Sequence, residues 1–249
     1  MTIRESIRTQ VETMKGKSHR EKLRYFWDYY GIKSICILAV LVLSIFIVVD
    51  LSTKKDSGYV GVFFGASEKG SSDTYLCDFA SFAGLDSDHF DIAVQFSPSI
   101  RLGSAITEEG YQALEGFATM AGAQMVDNIA ADAELFLYYS YLGYATDLRN
   151  VLSESQLTEL SPNLNYIDGD LLRQYQSKEQ TIDYNHFPDP KKPDAMIDPI
   201  PVGIDLSVAT EDFCNTYTFT ESNAVIGICS TSERMDVAVA FIRFALGLK

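Results

Sequence analysis

Two histidines, His89 and His186, and three cysteines, Cys77, Cys214 and Cys229, are the imidazoles and thiols that follow an apolar run near the N-terminus. Neither histidine sits in an H-E-x-x-H pattern, and the sequence holds no G-x-S-x-G and no P-loop. The cysteines have no histidine beside them in sequence, so no thiol–imidazole pair can be read off the chain. Acids remain: Asp127, Asp132 and Glu134 lie close enough along the chain to serve as the paired carboxylates of glycoside hydrolysis. In GASEKGSSD (65–73), Ser67, Ser71 and Ser72 stand among glycines and could accept a small anion. The stretch lacks the Lys-Ser/Thr ending of a phosphate loop, and a plain turn uses the same residues. Asp183, Asp189, Asp194 and Asp198 offer oxygens for calcium without the D-x-D-x-D-G spacing, which favours a solvated acidic stretch. The expectation is a chain without a catalytic centre, metal or cofactor.

The cysteines suggest structure before chemistry. CNTYTF (214–219) and AVIGIC (224–229) flank the turn-like TESN and read as a hairpin. Pairing Phe219 with Ala224 places Cys214 opposite Cys229, close enough for a disulfide in a non-hydrogen-bonded pair. The alternative is two buried apolar thiols.

Other elements follow from periodicity. YVGVFFG (59–65) and FDIAVQF (90–96) read as strands, as do AQMVDNIAA (123–131) and IPVGIDLS (200–207). Helices are expected over 74–84, over 108–123 with Tyr111, Leu114, Phe117 and Met120 at threes, and over 132–143, closed by Gly143. Another spans SESQLTEL, capped by Ser153 or Ser155 and stopped by Pro162. The last starts at a Ser230-x-x-Glu233 capping box and turns Met235, Ala238, Val239, Ile242, Ala245 and Leu246 to one side. Residues 161–200 carry five of the seven prolines and read as an irregular excursion. Alternating strands and helices predict an α/β domain with a mixed sheet, over 59–249 after a 52–58 linker. In open sheets of this kind ligands favour the carboxyl ends of strands, which nominates Gly65, Ser67, Ser97, Asp127, Asn128 and Asp205. Each also suits a turn or a helix cap.

The N-terminal residues point to lipid. From Ser34 to Val49 no residue is charged and only the two serines are polar. Extended to Ile32 and Leu51, with Lys33 and Asp50 snorkelling outward, a helix covers roughly 30 Å, enough for a hydrocarbon core. Tyr25, Phe26, Trp27, Tyr29 and Tyr30 precede it, as suits a membrane interface. No small-x-small cleavage pattern follows, so the run (34–51) reads as a permanent transmembrane helix and not an export signal. Residues 1–34 hold eight Lys/Arg against four acids, which leaves 12 bases and 30 acids of the chain's 20 and 34 for the rest. Basic residues mark the cytoplasmic side, so the arm (1–33) is expected inside and the acidic domain outside the cell membrane. The arm has capping-box spacing at Thr2-x-x-Glu5 and Ser18-x-x-Glu21, with Ile3, Ile7, Val11 and Met14 in a stripe. It would rest on lipid or dock a membrane partner. Such acidity argues against nucleic acid.

VDNIAADAELFLYYSYLGYATDLRNVLSESQ resembles a segment of the extracellular solute-binding proteins of ABC importers. In that family a strand ends in Asp (here Val126–Asp127) and is followed by a helix and a G-x-x-x-D-L turn (here Gly143 to Leu148). The end, AVIGICSTSERMDVAVAFIRFALG, is similar to that family's final strand and helix, with Ala238, Phe241 and Ile242 in its A-x-x-FI pattern. KLRYFWDYYGIKSI looks like the start of membrane-anchored proteins of Gram-positive Firmicutes. The resemblance implies the scaffold of one lobe: the forty residues between Leu160 and Val202 are too few for a second lobe that could close over a ligand. It implies an accessory or sensor subunit of a membrane assembly such as a transporter, or a tethered receptor for a small ligand. The partners expected are membrane lipid and a membrane protein, for instance an ABC transporter.

Overall fold

The computed structural model describes residues 18–53, 55–177 and 181–248; in its first helix the side chains of residues 22, 25, 26, 29, 30 and 47–53 are not among those described. The chain divides into two units, Met1–Lys54 and Lys55–Lys249.

The described residues of the first unit form one helix, α1 (His19–Thr53), of 35 residues. Its start is the capping box that the sequence announces. The Ser18 N–H donates to Glu21 Oε2 at 3.0 Å and the Glu21 N–H to Ser18 Oγ at 3.4 Å. Ile32, Ile35, Ile37, Leu38, Val40, Leu41, Leu43, Ile45 and Phe46 are all exposed, so the apolar surface runs around the helix instead of along one stripe. Among the described residues no helix is long and apolar enough to cross a membrane. The run from Ser34 to Val49 continues past Phe46, the last of its residues whose side chain is described. Of the five aromatics expected at an interface, only the Trp27 side chain is among those described, and it is exposed. The stripe at Ile3, Ile7, Val11 and Met14, with the Thr2 cap, lies outside the described residues.

The second unit is α/β, built on a mixed six-stranded sheet. Its strands are β1 (Asp56–Phe64), β3 (Phe90–Ser97), β4 (Asn128–Asp132), β5 (Leu164–Asp168), β6 (Pro199–Asp205) and β8 (Ala224–Ile228), in the order β3-β1-β4-β8-β6-β5. β1 runs parallel to both β3 and β4, while β8 is antiparallel to β4 and β6, and β5 to β6. A separate ribbon pairs β2 (Ala66–Glu68) with β7 (Tyr217–Phe219).

Helices cover both faces, because β1 is apolar on both. Period-two alternation sends Tyr59 and Phe63 to one core, and Val60, Val62 and Phe64 to the other. The first core is closed by α2 (Asp73–Ala83), α5 (Glu154–Leu160), α7 (Glu211–Thr216) and α8 (Met235–Leu246). Its centre is aromatic: Tyr59 stacks on Phe241 at 4.6 Å, and Phe79 meets both edge-on at 5.0 Å. The second core is closed by α3 (Glu108–Gly122), α4 (Ala133–Tyr141) and α6 (Gly169–Gln176). Here Gly203 and Gly227, opposite each other on β6 and β8, form a slot for the Phe136 ring. A Cβ at either would meet that ring at 2.5–2.6 Å.

Several expectations need correction. The strand expected over 123–131 begins at Asn128, because α3 ends at Gly122 and Gln124 turns the chain with φ 60°. The excursion 161–200 is irregular only in its later part: LNYID is the edge strand β5 and GDLLRQYQ is α6. Pro190 and Lys191 cover the β5 edge, since the Tyr166 N–H donates to the Pro190 carbonyl and Lys191 Nζ to the Leu164 carbonyl, both at 3.0 Å. The cysteine hairpin does not form. Residues 211–216 are helical, β7 pairs with β2, and β8 is central, with a neighbour on each side. Cys214 and Cys229 are free thiols, one exposed and the other buried. The last helix starts at Met235 without its expected cap, because Ser230 Oγ donates instead to the Gly143 carbonyl at 2.6 Å.

Candidate cleft at the carboxyl ends of the parallel strands

The carboxyl ends of β1, β3 and β4 open onto three adjoining cavities of about 300, 340 and 480 Å³. The 98–106 loop after β3 runs through them with Ser99, Arg101, Leu102 and Ser104. The turn before β8 supplies Thr220, Glu221 and Asn223, and the start of α4 supplies Glu134. Tyr184, Phe187 and Pro190 wall the far end. At 300–1,000 Å³ such clefts are of small-molecule size.

Charge in the cleft is acidic and partly spent. Arg101 Nη2 pairs with Glu221 Oε1 at 2.8 Å in the open. Asp132, the last residue of β4, caps α4 by accepting the Leu135 N–H at 3.0 Å. Burial pushes the Asp132 carboxyl up from its ordinary value, against the pull of the Leu135 and Glu134 N–H groups, and nearby Glu221 adds to the rise. This set can hold polar or cationic groups.

Of the nominated residues none lines these cavities, and Gly65 comes nearest, packed against Ser99. Gly65 turns the chain at the end of β1 with φ 65°, donates to the Ser97 carbonyl at 2.8 Å and accepts the Thr220 N–H at 2.8 Å. Ser97 ends β3, and Ser67 lies exposed on β2 opposite Thr218. Asp205 is at the same end of the sheet but across β8, held by Asn165 Nδ2 at 2.8 Å and Lys191 Nζ at 2.7 Å.

Asp127 and Asn128 are elsewhere. Because β4 starts at Asn128, Asp127 precedes the strand and Asn128 opens it; neither follows it, and both are buried. Asp127 accepts the Val60 N–H at 2.8 Å, Ser232 Oγ at 2.6 Å, and Arg234 through Nε at 3.1 Å and Nη2 at 2.9 Å. Arg234 Nη2 also donates to the Met125 carbonyl at 2.9 Å. This carboxylate is a brace tying β1 and the α3–β4 turn to the start of α8. Asn128 donates to the Gly227 carbonyl at 3.1 Å. Asp127 therefore cannot join Asp132 and Glu134 in a catalytic pair.

The other acids are structural too. His89 and His186 are exposed and pair at 2.7 Å with Asp86 and Asp183 of their own turns. Asp189 pairs with Lys192 at 2.9 Å and Asp198 with Arg173 at 2.8 Å, so the candidate calcium ligands are dispersed. Among the described residues no group of three or more His, Cys, Asp or Glu could hold a metal. Sequence reasoning missed Ser99, Arg101, Ser104, Glu221 and Asn223. The signal was present in the Pro98 turn and in TESN, both loops at strand ends. No family model, curated protein or solved structure matches this chain.

Proposed function

We propose that the chain is a single-pass membrane protein whose acidic α/β domain stands outside the cell and serves, without catalysis, as an accessory or sensor subunit of a membrane assembly such as a transporter. The observation that carries this reading is α1. Its apolar side chains are exposed around the helix, from Ile32 to Phe46, and water is a poor solvent for such a surface. Lipid, or lipid and a partner's helices, satisfies it. The basic arm before α1 supports an inside N-terminus. Among the described residues the α/β unit holds no second lobe, which supports contact with a macromolecule over capture of a solute by closure. Purification of the tagged full chain from mildly solubilised membranes tests the role: a stoichiometric membrane partner, such as a transporter permease, supports it. Isolation as a lone chain at every salt concentration contradicts it.

One observation favours a second reading, a tethered small-ligand receptor: the cleft lies where open sheets bind ligands and has the volume to do so. A thermal-shift screen with sugars, peptides and amino acids separates the two, because the accessory role predicts no shift.

A further inference from the structure

The sheet ends on two strands, and the chain treats them differently. The outer edge of β5 is covered by Pro190 and Lys191. Among the described residues nothing pairs with the outer edge of β3. Phe90 N–H donates to the Asp86 carbonyl and the Ser97 carbonyl accepts from Gly65. Between them, among the described residues, the backbone of residues 91–96 makes no hydrogen bond beyond the ladder to β1. The strand holds no lysine and no proline, and none of its side chains is fully buried. A row of unpaired N–H and C=O groups is a template for another strand.

The sequence of the edge says which strand. FDIAVQF (90–96) reads almost the same in both directions about Ala93. An antiparallel copy centred there sets Phe90 opposite Phe96, Ile92 opposite Val94 and Asp91 opposite Gln95. Ile92, Val94 and Phe96 already pack against the α2–α8 core, so the two copies would continue one apolar row. On the other face each Asp91 would meet an amide, which avoids the penalty of like charges directly opposed. Centring on Asp91 instead would oppose the two carboxylates and leave most of the strand unpaired. We propose that β3 is a self-association seam: two copies join antiparallel through Phe90–Phe96 about a two-fold axis at Ala93, making one continuous sheet from two. Such an interface is isologous, as two-fold contacts are.

The test uses the solubilised full chain with Cys36, Cys77 and Cys214 replaced by serine, so that Cys229, which is buried, is the remaining native thiol. In that background Ala93→Cys faces its own copy at about 5 Å between Cβ atoms and should oxidise to a covalent dimer. Asp91→Cys alone should not, whereas Asp91→Cys with Gln95→Cys should. Independently, Gln95→Asp should weaken dimerisation and Gln95→Lys strengthen it, each by about two- to fivefold in Kd by sedimentation. Equal cross-linking of Ala93→Cys and Asp91→Cys overturns the proposal. So does an Ala93→Cys chain that melts like its parent and stays uncrosslinked. A dimer indifferent to both Gln95 changes, with no Ala93→Cys bridge, would assign association to α1 and also overturn it.

Discussion

The carboxylates of this domain divide by what surrounds them, and single substitutions should separate them. Asp127 is fully buried with three donor groups, one of them the Arg234 cation, so Asp127→Ala strands the guanidinium and frees the start of α8. Breaking a buried pair from one side costs about 3–5 kcal/mol, and a denaturant titration should read a loss of that size. Asp168 and Asp132 differ in sign. Burial pushes the Asp168 carboxyl up, but the N–H groups of Ile197, Asp170 and Asp198 outweigh it and hold the carboxyl below its ordinary value. Its contribution is therefore present above the unfolded pKa and is lost as pH falls through the lower folded one. Asp132 is raised, so its contribution is present at low pH and lost as pH rises through the folded pKa. At pH 7 Asp168→Asn should lower the melting temperature, while Asp132→Asn, still a good helix cap, should leave it unchanged or raise it. Two tyrosines add a third class. Tyr59 and Tyr75 bury hydroxyls that have no hydrogen-bond partner among the described residues, so Tyr75→Phe should cost nothing or stabilise by about 1 kcal/mol in the same titration. At this scale the sequence was only half legible. Gly65 and Ser97 stand at strand ends as read without lining the cleft, whereas Asp127 was misplaced because the start of β4 was set five residues too early.

Elements were more legible, since two periods generate most of them. β1, β3, β6, α2, α3 and α4 stand close to where alternation and helical spacing put them. β5 was lost because LNYID mixes two polar residues into five and lies in a proline-rich stretch. The hairpin was misread because loop length alone was allowed to choose a partner. AVIGI has no alternation, which is the mark of a strand buried on both faces, and such a strand needs two neighbours. Those neighbours bring Gly203 and Gly227 together beneath Phe136. Gly227→Ala should destabilise by about 1–3 kcal/mol through overpacking, and Phe136→Leu, which vacates the slot, should recover part of that loss. Additive losses in the double mutant would contradict the slot.

At the scale of the molecule, composition spoke first and structure second. A basic arm, an apolar run and an acidic remainder are legible without coordinates, and the second unit is the mixed α/β sheet the alternation predicted. The cleft was not legible, because it is assembled from three loops far apart in sequence. The orientation in lipid is the central claim, and the native thiols report it. Cys77 and Cys214 are exposed on the α/β domain, while Cys36 lies in the apolar run of α1. A membrane-impermeant maleimide added to intact cells should label Cys77 and Cys214, and the labelling should vanish in the Cys77→Ser, Cys214→Ser chain. Labelling that appears only after the cells are broken open would contradict the account.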